Sequence, residues 1–428
     1  MPKTSMTINQ FDGGLNTKYD PSDLDLNESP DCQNMVYTDV GAVETRNGYS
    51  AFTSAPLNTG SRIDGLYTLV EADRTSTLIG FCGGTAWRMS GNTGVTISSS
   101  QNTLQDGQNV FAAQAQNKLF ISNGINNPMK YDGTAWTRWG VSAPSAPTAA
   151  INSNGTLTGA YRYVCVGKNS HLVQGDYGSA STEVSLTGND VAITDIPSYP
   201  ISAGVNEVLI CRNTAAASGV YYIVTAVTNG VSAITDNVSD DQLSADDLAP
   251  LDNGLPAKFT SHVWHTGRMF GAASESDNPQ YLYYSFINEP EIFPAENIIK
   301  VGEGDGYPIT GLAVLSNSIL IAKTDSYGQG SVYLLYMPSA SAVDWSLSKL
   351  DTANSSQAAK AMINFSNWVM LLNADGIFDI NENSIGEIKT DGISYKIEPD
   401  VLSFAAESIG NAVAVNYKNK VWVSVPKN

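Results

Sequence analysis

Six short apolar runs recur along the chain: Leu78-Ile79-Gly80-Phe81, Leu119-Phe120-Ile121, Met269-Phe270-Gly271-Ala272, Ile319-Leu320-Ile321-Ala322, Val369-Met370-Leu371-Leu372 and Val421-Trp422-Val423. Five follow a polar or glycine turn pair, namely Asn117-Lys118, Gly267-Arg268, Asn317-Ser318, Asn367-Trp368 and Asn419-Lys420. Their first residues are 41, 150, 50, 50 and 52 positions apart. A period of about 40 to 50 residues holding about four short strands predicts a β-propeller, whose blades cannot bury their faces singly and stack about an axis. The long interval then equals one blade plus about 100 inserted residues. Val110-Phe111-Ala112-Ala113 and Ala361-Met362-Ile363-Asn364-Phe365 fit an earlier strand of their blades, and Tyr281-Leu282-Tyr283-Tyr284 and Val332-Tyr333-Leu334-Leu335-Tyr336 fit outer strands. Thr85-Ala86-Trp87 and Thr134-Ala135-Trp136 share a tripeptide at what reads as one edge position in two blades. The plainer alternative is a Gly-rich all-β chain with such spacing by chance.

The inserted stretch lies between Ala143-Pro144-Ser145-Ala146-Pro147 and Leu248-Ala249-Pro250 with Leu255-Pro256, which resemble stiff linkers. Within it, Gly159-Ala160-Tyr161-Arg162-Tyr163-Val164-Cys165-Val166, Glu183-Val184-Ser185-Leu186, Val191-Ala192-Ile193, Glu207-Val208-Leu209-Ile210-Cys211-Arg212, Tyr221-Tyr222-Ile223-Val224 and Ser232-Ala233-Ile234-Thr235 alternate as strands, as a fibronectin-like sandwich requires. Helical periodicity is confined to 355–360 and 400–408. The expected fold is therefore all-β, a β-propeller of about six blades with an inserted fibronectin-like β-sandwich. Residues 1–50 would be a leader whose strands close or brace the propeller, 51–142 its first part, 143–256 the sandwich, and 257–428 its second part. The last blade is incomplete within the chain, because residues 412–417 and 421–425 supply only two strands, and an open blade exposes unpaired backbone. Strands from 35–50 could complete it, which we favour, or a separate chain could.

The 428 residues carry 23 Lys and Arg against 42 Asp and Glu, a formal charge of −19. That balance excludes a protein that grips nucleic acid by its phosphates, although an acidic wall would let a duplex slide past without sticking. Simple solubility explains the charge equally well. Cys32, Cys82, Cys165 and Cys211 show no metal or disulfide spacing, Cys165 and Cys211 being either buried thiols or a pair. Met1-Pro2-Lys3-Thr4-Ser5 lacks an apolar signal core and no run is long enough to span a membrane, so synthesis and first use in a cytoplasm are expected.

Candidate chemistry is sparse. His262 and His265, three apart on a strand, point to opposite faces, and His171 is the only other histidine. Gly302-Glu303-Gly304-Asp305-Gly306 has the glycines of a phosphate loop without its Lys-Ser/Thr end, and reads as a turn between blades. Asp236, Asp240, Asp241, Asp246 and Asp247 do not match a calcium loop and read as a solvated linker. Asn373-Ala374-Asp375-Gly376 is a hairpin turn rather than a sialidase-type repeat, and no nucleophile elbow is present. No catalytic, cofactor-binding or metal residue is expected, and no enzyme.

Phe11-Asp12-Gly13-Gly14-Leu15-Asn16-Thr17, Asn27-Glu28-Ser29-Pro30-Asp31, Gln33-Asn34 and Gly41-Ala42-Val43-Glu44-Thr45-Arg46-Asn47-Gly48-Tyr49 together resemble the opening of the tail nozzle (tail tubular protein B-like) proteins of short-tailed bacteriophages. Trp264-His265-Thr266-Gly267-Arg268-Met269-Phe270-Gly271-Ala272, the Gly304-Asp305-Gly306 to Ile309-Thr310-Gly311-Leu312 stretch, Tyr161-Arg162-Tyr163 and Cys211-Arg212-Asn213-Thr214 are similar to the same family. The resemblance implies a structural virion protein in the tail. It implies a homo-oligomer, a hexameric ring below the portal and adaptor (head–tail connector) proteins, with tail fibre or tip proteins as neighbours. Double-stranded DNA would pass through its lumen without specific binding. The rival function is a carbohydrate-binding propeller acting as adhesin or depolymerase, with Trp87, Trp136, Trp139, Trp264 and Trp422 as stacking residues.

Overall fold

The strand-forming residues of this chain sit between turns that tolerate a left-handed backbone. Gln116 and Asn117 take φ of 50° and 59°, and Thr266 and Gly267 take 46° and 74°. Two consecutive positive φ values make the type I′ turn whose twist matches a hairpin. The computed structural model describes residues 7–8, 10–38, 41–97, 103–273, 278–325, 330–350, 355–365, 367–382, 388–404, 406–418 and 420–426. Asn419 of the last turn pair and the amino-terminal residues 1–5 lie outside the described residues.

In chain order, β1 (Gly14–Leu15) and β2 (Glu28–Ser29) form a parallel pair, and β3 (Met35–Tyr37) and β4 (Val43–Thr45) an antiparallel hairpin. Sheet one is β5 (Ile63–Val70), β6 (Ser76–Cys82), β7 (Thr85–Ser90) and β8 (Thr93–Thr96). Sheet two is β9 (Phe111–Ala115), β10 (Lys118–Ser122), β11 (Met129–Tyr131) and β12 (Trp136–Arg138). Next come β13 (Thr148–Tyr161), β14 (Tyr163–Asn169), β15 (Val184–Thr194), β16 (Val205–Thr214), β17 (Ala217–Thr228) and β18 (Ile234–Asp236). Sheet three is β19 (Ser261–His265), β20 (Arg268–Ala272), β21 (Tyr281–Tyr284) and β22 (Ile298–Lys300). Sheet four is β23 (Ile309–Leu315), β24 (Ser318–Thr324), β25 (Gly330–Tyr336) and β26 (Ser346–Lys349), and sheet five is β27 (Ile363–Phe365), β28 (Trp368–Asn373), β29 (Gly376–Glu382) and β30 (Ile388–Gly392). A last hairpin pairs β31 (Val413–Tyr417) with β32 (Lys420–Ser424).

The protein is all-β, and among the described residues its one α-helix is Glu398–Leu402. It folds as two compact units, 55–300 and 1–54 with 301–428. The cuts fall at 54/55 and 300/301 rather than at the composition shifts near 143 and 256.

Every one of the six apolar runs is the second strand of its sheet. In the first unit, sheet two lies between two others. Leu119 and Ile121 of β10 pack with Leu69, Ile79 and Phe81 of sheet one, while Phe120 between them packs with Phe259, Met269 and Phe293 on the side of sheet three. In the second unit, Val369 and Leu371 of β28 meet Leu315, Leu320 and Ala322 of sheet four, and Met370 and Leu372 meet Ala414, Val421 and Val423 of the last hairpin. A strand covered on both faces must be apolar at every position, which is why these segments are runs rather than alternations. All five residues of β10 and all seven of β24 are buried.

The stretch 148–236 is a sandwich of two three-stranded sheets, β13-β15-β18 and β14-β16-β17. Tyr161, Val191 and Ile193 from one sheet close on Tyr163, Cys165, Val208 and Ile210 from the other. The segment 159–166, expected as one strand, breaks at Arg162, where the chain crosses between sheets. Glu183–Leu186 and Val191–Ile193, expected as two strands, belong to the single β15, which begins at Val184. The shared Thr-Ala-Trp tripeptides are not equivalent either, since Trp87 is in a third strand and Trp136 in a fourth. The helical period at 355–360 yields only a 3-10 turn at Ala359–Ala361. That at 400–408 corresponds to the short helix Glu398–Leu402, with Pro399 in its first turn, and a 3-10 stretch beyond.

In the second unit the leader is bound to 395–400 by polar contacts. Thr17 donates its N–H to Lys396 O (2.9 Å) and its hydroxyl to Asp400 (2.7 Å), Lys396 pairs with Glu28 (2.7 Å), and Lys18 pairs with Glu398. Lys420 Nζ reaches Tyr37 O at 2.7 Å. Among the described residues no strand ladder joins β3–β4 to β31–β32.

Double-sided burial makes the second strands the most sensitive positions. Leu320→Ala is expected to cost about 2–5 kcal/mol in chemical denaturation, against less than about 0.5 kcal/mol for Val343→Ala, because Leu320 is fully buried and Val343 is 92% exposed.

Candidate functional site

The strongest concentration of charge away from solvent is at Glu291, in the unit 55–300. Its carboxylate takes Lys118 of β10 at 3.0 Å, Lys130 of β11, and the amide of Asn169 at the end of β14 at 3.0 Å. Burial alone would raise the Glu291 carboxyl, and the two ammonium groups override it and hold it below its ordinary value. Burial pushes Lys130 down despite the carboxylate beside it. The Oδ1 of the same Asn169 accepts from the N–H groups of His171 (2.9 Å) and Val173 (3.1 Å), fixing a loop in which Leu172 takes φ 66°. His171 faces Asp132 at 3.4 Å. One carboxylate thus ties two strands of sheet two, the sandwich and the 290 loop. A cavity of about 480 Å³ beside it is bordered by Lys118, His171, Gln174, Asn253 and Asn288. A lysine here carries no sequence signal except its presence inside an apolar strand.

Elsewhere the candidate groups are used up by packing. His262 is buried with Nε2 2.9 Å from Phe120 O and Nδ1 3.0 Å from Ser122 Oγ. A carbonyl only accepts, so Nε2 carries the proton and Nδ1 accepts from the serine. Burial lowers its pKa to about 4. Ser122 is also sealed, at 1% exposure, so both partners of this serine–histidine pair lie away from solvent. His265 is half-buried with Nε2 unpartnered among the described residues, and burial lowers its pKa too. The three histidines thus have separate surroundings, and among the described residues no His, Cys, Asp and Glu side chains gather as a metal site.

The glycine run 302–306 wraps an ammonium group instead of a phosphate. Lys323, fully buried, donates to Val301 O, Gly302 O and both Asp305 oxygens (2.7 and 2.9 Å). A phosphate loop offers N–H donors, whereas this one offers oxygens, the opposite polarity. Two of the five aspartates serve Arg212, which is also buried. Asp236 bonds it at 2.9 Å and Asp240 at 2.5 Å, and Tyr163 donates to Asp236 at 2.8 Å. Asp241, Asp246 and Asp247 are exposed. Cys165 and Cys211 are free thiols. Their strands pair with Val164 opposite Cys211, so the two thiols stand one residue out of step and face opposite sides of the sheet. Burial raises both, Cys165 to about 12. Of the tryptophans, Trp136 and Trp139 are buried, the Trp87 indole donates to Cys82 O (3.3 Å), Trp264 packs against the core, and Trp422 is 41% exposed.

No protein family and no curated protein matches this chain. Among solved structures it is similar to a chain of a nidogen/laminin complex, at 10% identity and a TM-score of 0.26 over 75% of this chain and 94% of that one. It is also similar to Drosophila semaphorin 1a, extracellular domains 1-2, at 10% identity and a TM-score of 0.21 over 86% and 82%. Likeness of this degree bears on neither activity nor partners.

Two outcomes follow from the buried groups. Glu291→Gln leaves two ammonium groups without a carboxylate and is expected to lower stability by about 3–5 kcal/mol; replacing Lys118, Lys130 and Glu291 together by methionine should recover most of that in the same denaturation series. His262 stays neutral in the fold while the unfolded histidine takes up a proton, so stability falls as pH drops from 6.5 to about 4 and is unaffected above that window. The loss amounts to about 3 kcal/mol, and unfolding midpoints across this range should flatten in H262Q.

Proposed function

We propose that the sheets are successive blades of one β-propeller of about six blades, with the fibronectin-like sandwich spliced between the second and third, and that the chain is a ring-forming subunit of a phage tail nozzle. The observation that carries the propeller reading is the alternate packing of β10 and β28, each with odd residues on one neighbouring sheet and even residues on the other. Sheets stacked face to face in sequence order are how blades bury what they cannot bury alone. The nozzle reading rests on the leader and blade motifs described above, and on charge. A subunit of formal charge −19 repels a duplex, which suits a channel that DNA must traverse without adhering. The interior supports a scaffold, since its buried histidine, lysines and aspartates are spent on packing. Contacts to an adaptor above, fibres or tip proteins around, and DNA within would then fall to loops at the ring faces.

Cryo-electron microscopy of the purified chain, and of the chain with its virion neighbours, tests this. Sixfold rings with an acidic bore wide enough for a hydrated duplex are the expected outcome, together with no retention of DNA in a low-salt mobility assay. A particle that stays monomeric in both settings and binds glycans on an array would overturn the reading in favour of an adhesin.

A further inference from the structure

We propose that the leader hairpin β3–β4 is the outer strand pair of the sheet begun by β31–β32, so that the two ends of this chain close a sixth four-stranded sheet. Sheet two supplies the template. Its inner hairpin, Phe111 to Ser122, aligns without a gap to Val413 to Ser424. Ala112, Asn117, Lys118 and Ser122 recur as Ala414, Asn419, Lys420 and Ser424, and Leu119-Phe120-Ile121 becomes Val421-Trp422-Val423. Its outer hairpin recurs in the leader. Met129-Lys130-Tyr131 of β11 corresponds to Met35-Val36-Tyr37 of β3, and an alanine, Ala135 or Ala42, precedes the next strand in each.

The backbone agrees residue by residue. Tyr131 pairs with Trp136 and Met129 with Arg138, as Tyr37 pairs with Val43 and Met35 with Thr45. The flanking bonds match as well. Trp139 N donates to Pro128 O (3.0 Å) and Asp132 N to Ala135 O (3.4 Å), where Arg46 N donates to Asn34 O (2.7 Å) and Thr38 N to Ala42 O (2.8 Å). Antiparallel hydrogen-bonded positions alternate, so bonds at 34 and 38 turn the N–H and C=O of Met35 and Tyr37 away from β4. On β32, the closing pair Tyr417 and Lys420 sets the alternation, so that Lys420, Trp422 and Ser424 bond to β31 and Val421 and Val423 face outward. Those are the positions at which Leu119 and Ile121 of sheet two meet Tyr131 and Met129. Carried over, the register is Tyr37 with Val421, Val36 with Trp422 and Met35 with Val423.

The two edges already lie together. Lys420 Nζ bonds Tyr37 O at 2.7 Å, joining the first residue of β32 to the last of β3, the ends an antiparallel ladder would bring opposite. Val36, Thr38, Lys420 and Trp422 line the cavity of about 580 Å³ between them. Without closure β32 is only half-covered, with Trp422 41% exposed, while every residue of its counterpart β10 is buried. Closure removes an apolar open edge of the kind that invites aggregation.

A disulfide tests the register, because Val36 and Trp422 would be a non-hydrogen-bonded pair, close enough to bridge. In a full-length Cys32→Ser chain carrying Val36→Cys and Trp422→Cys, mild oxidation is expected to give an intrachain disulfide identified by peptide mapping, whereas Val36→Cys with Val423→Cys should give none. Hydrogen exchange on the unaltered chain is the second measurement, independent of whether the variants fold. Val421 and Val423 amides should exchange within about tenfold of Leu119 and Ile121. Exchange as fast as exposed loop amides, or failure of the 36–422 disulfide in a folded variant, overturns the proposal. An interchain 36–422 disulfide also overturns it, by showing the hairpin handed to a second copy.

Discussion

Burial of one strand on both of its faces is the constraint on which this structure depends. β10 and β24 are sealed along their whole length, so each must be covered on both of its faces. Removing apolar surface from water on two faces is worth about 25 cal/mol per Å², and a strand of large aliphatic residues collects that gain only when both neighbours are present. The apolar runs in the sequence, the stacking in each unit and the exposure of β32 are one fact seen at three levels.

Polar groups inside such stacks must be paired, and the chain meets that requirement with a few many-bonded charges. Glu291 accepts two lysines and an asparagine, Arg212 engages two aspartates, and Lys323 fills a ring of oxygens. The Glu291 cluster joins elements more than 100 residues apart, and each of these groups is costly to leave half-made. Groups that elsewhere serve as bases, nucleophiles or cation ligands are here committed to holding the framework.

The last sheet shows the same constraint unfulfilled. Its hairpin pairs in the same register as the inner hairpin of sheet two, and the leader carries a hairpin paired in the register of the outer one. The polar contacts from Thr17 and Lys18 to Asp400 and Glu398 tie the leader to the short helix Glu398–Leu402 of the same unit.

How much was legible follows from which interactions are local. Period-two patterning, apolar runs and turn pairs belong to neighbouring residues, so the all-β class, the second strand of each sheet, the hairpin at Asn373 to Gly376 and the sandwich between the two proline linkers were all present in the sequence. Which strand a tripeptide occupies, whether Cys165 faces Cys211, and which carboxylate Lys118 meets were not. Lys118 and Glu291 are 173 residues apart, and Arg212 meets Asp236 because β16 and β18 lie in the two facing sheets of the sandwich. Local backbone preference decides strands and turns, because a residue's φ, ψ and facing depend on its immediate neighbours. Register between distant strands is decided only when the sheets pack, since one step of slip exchanges the two faces and only the completed core tells one register from the next.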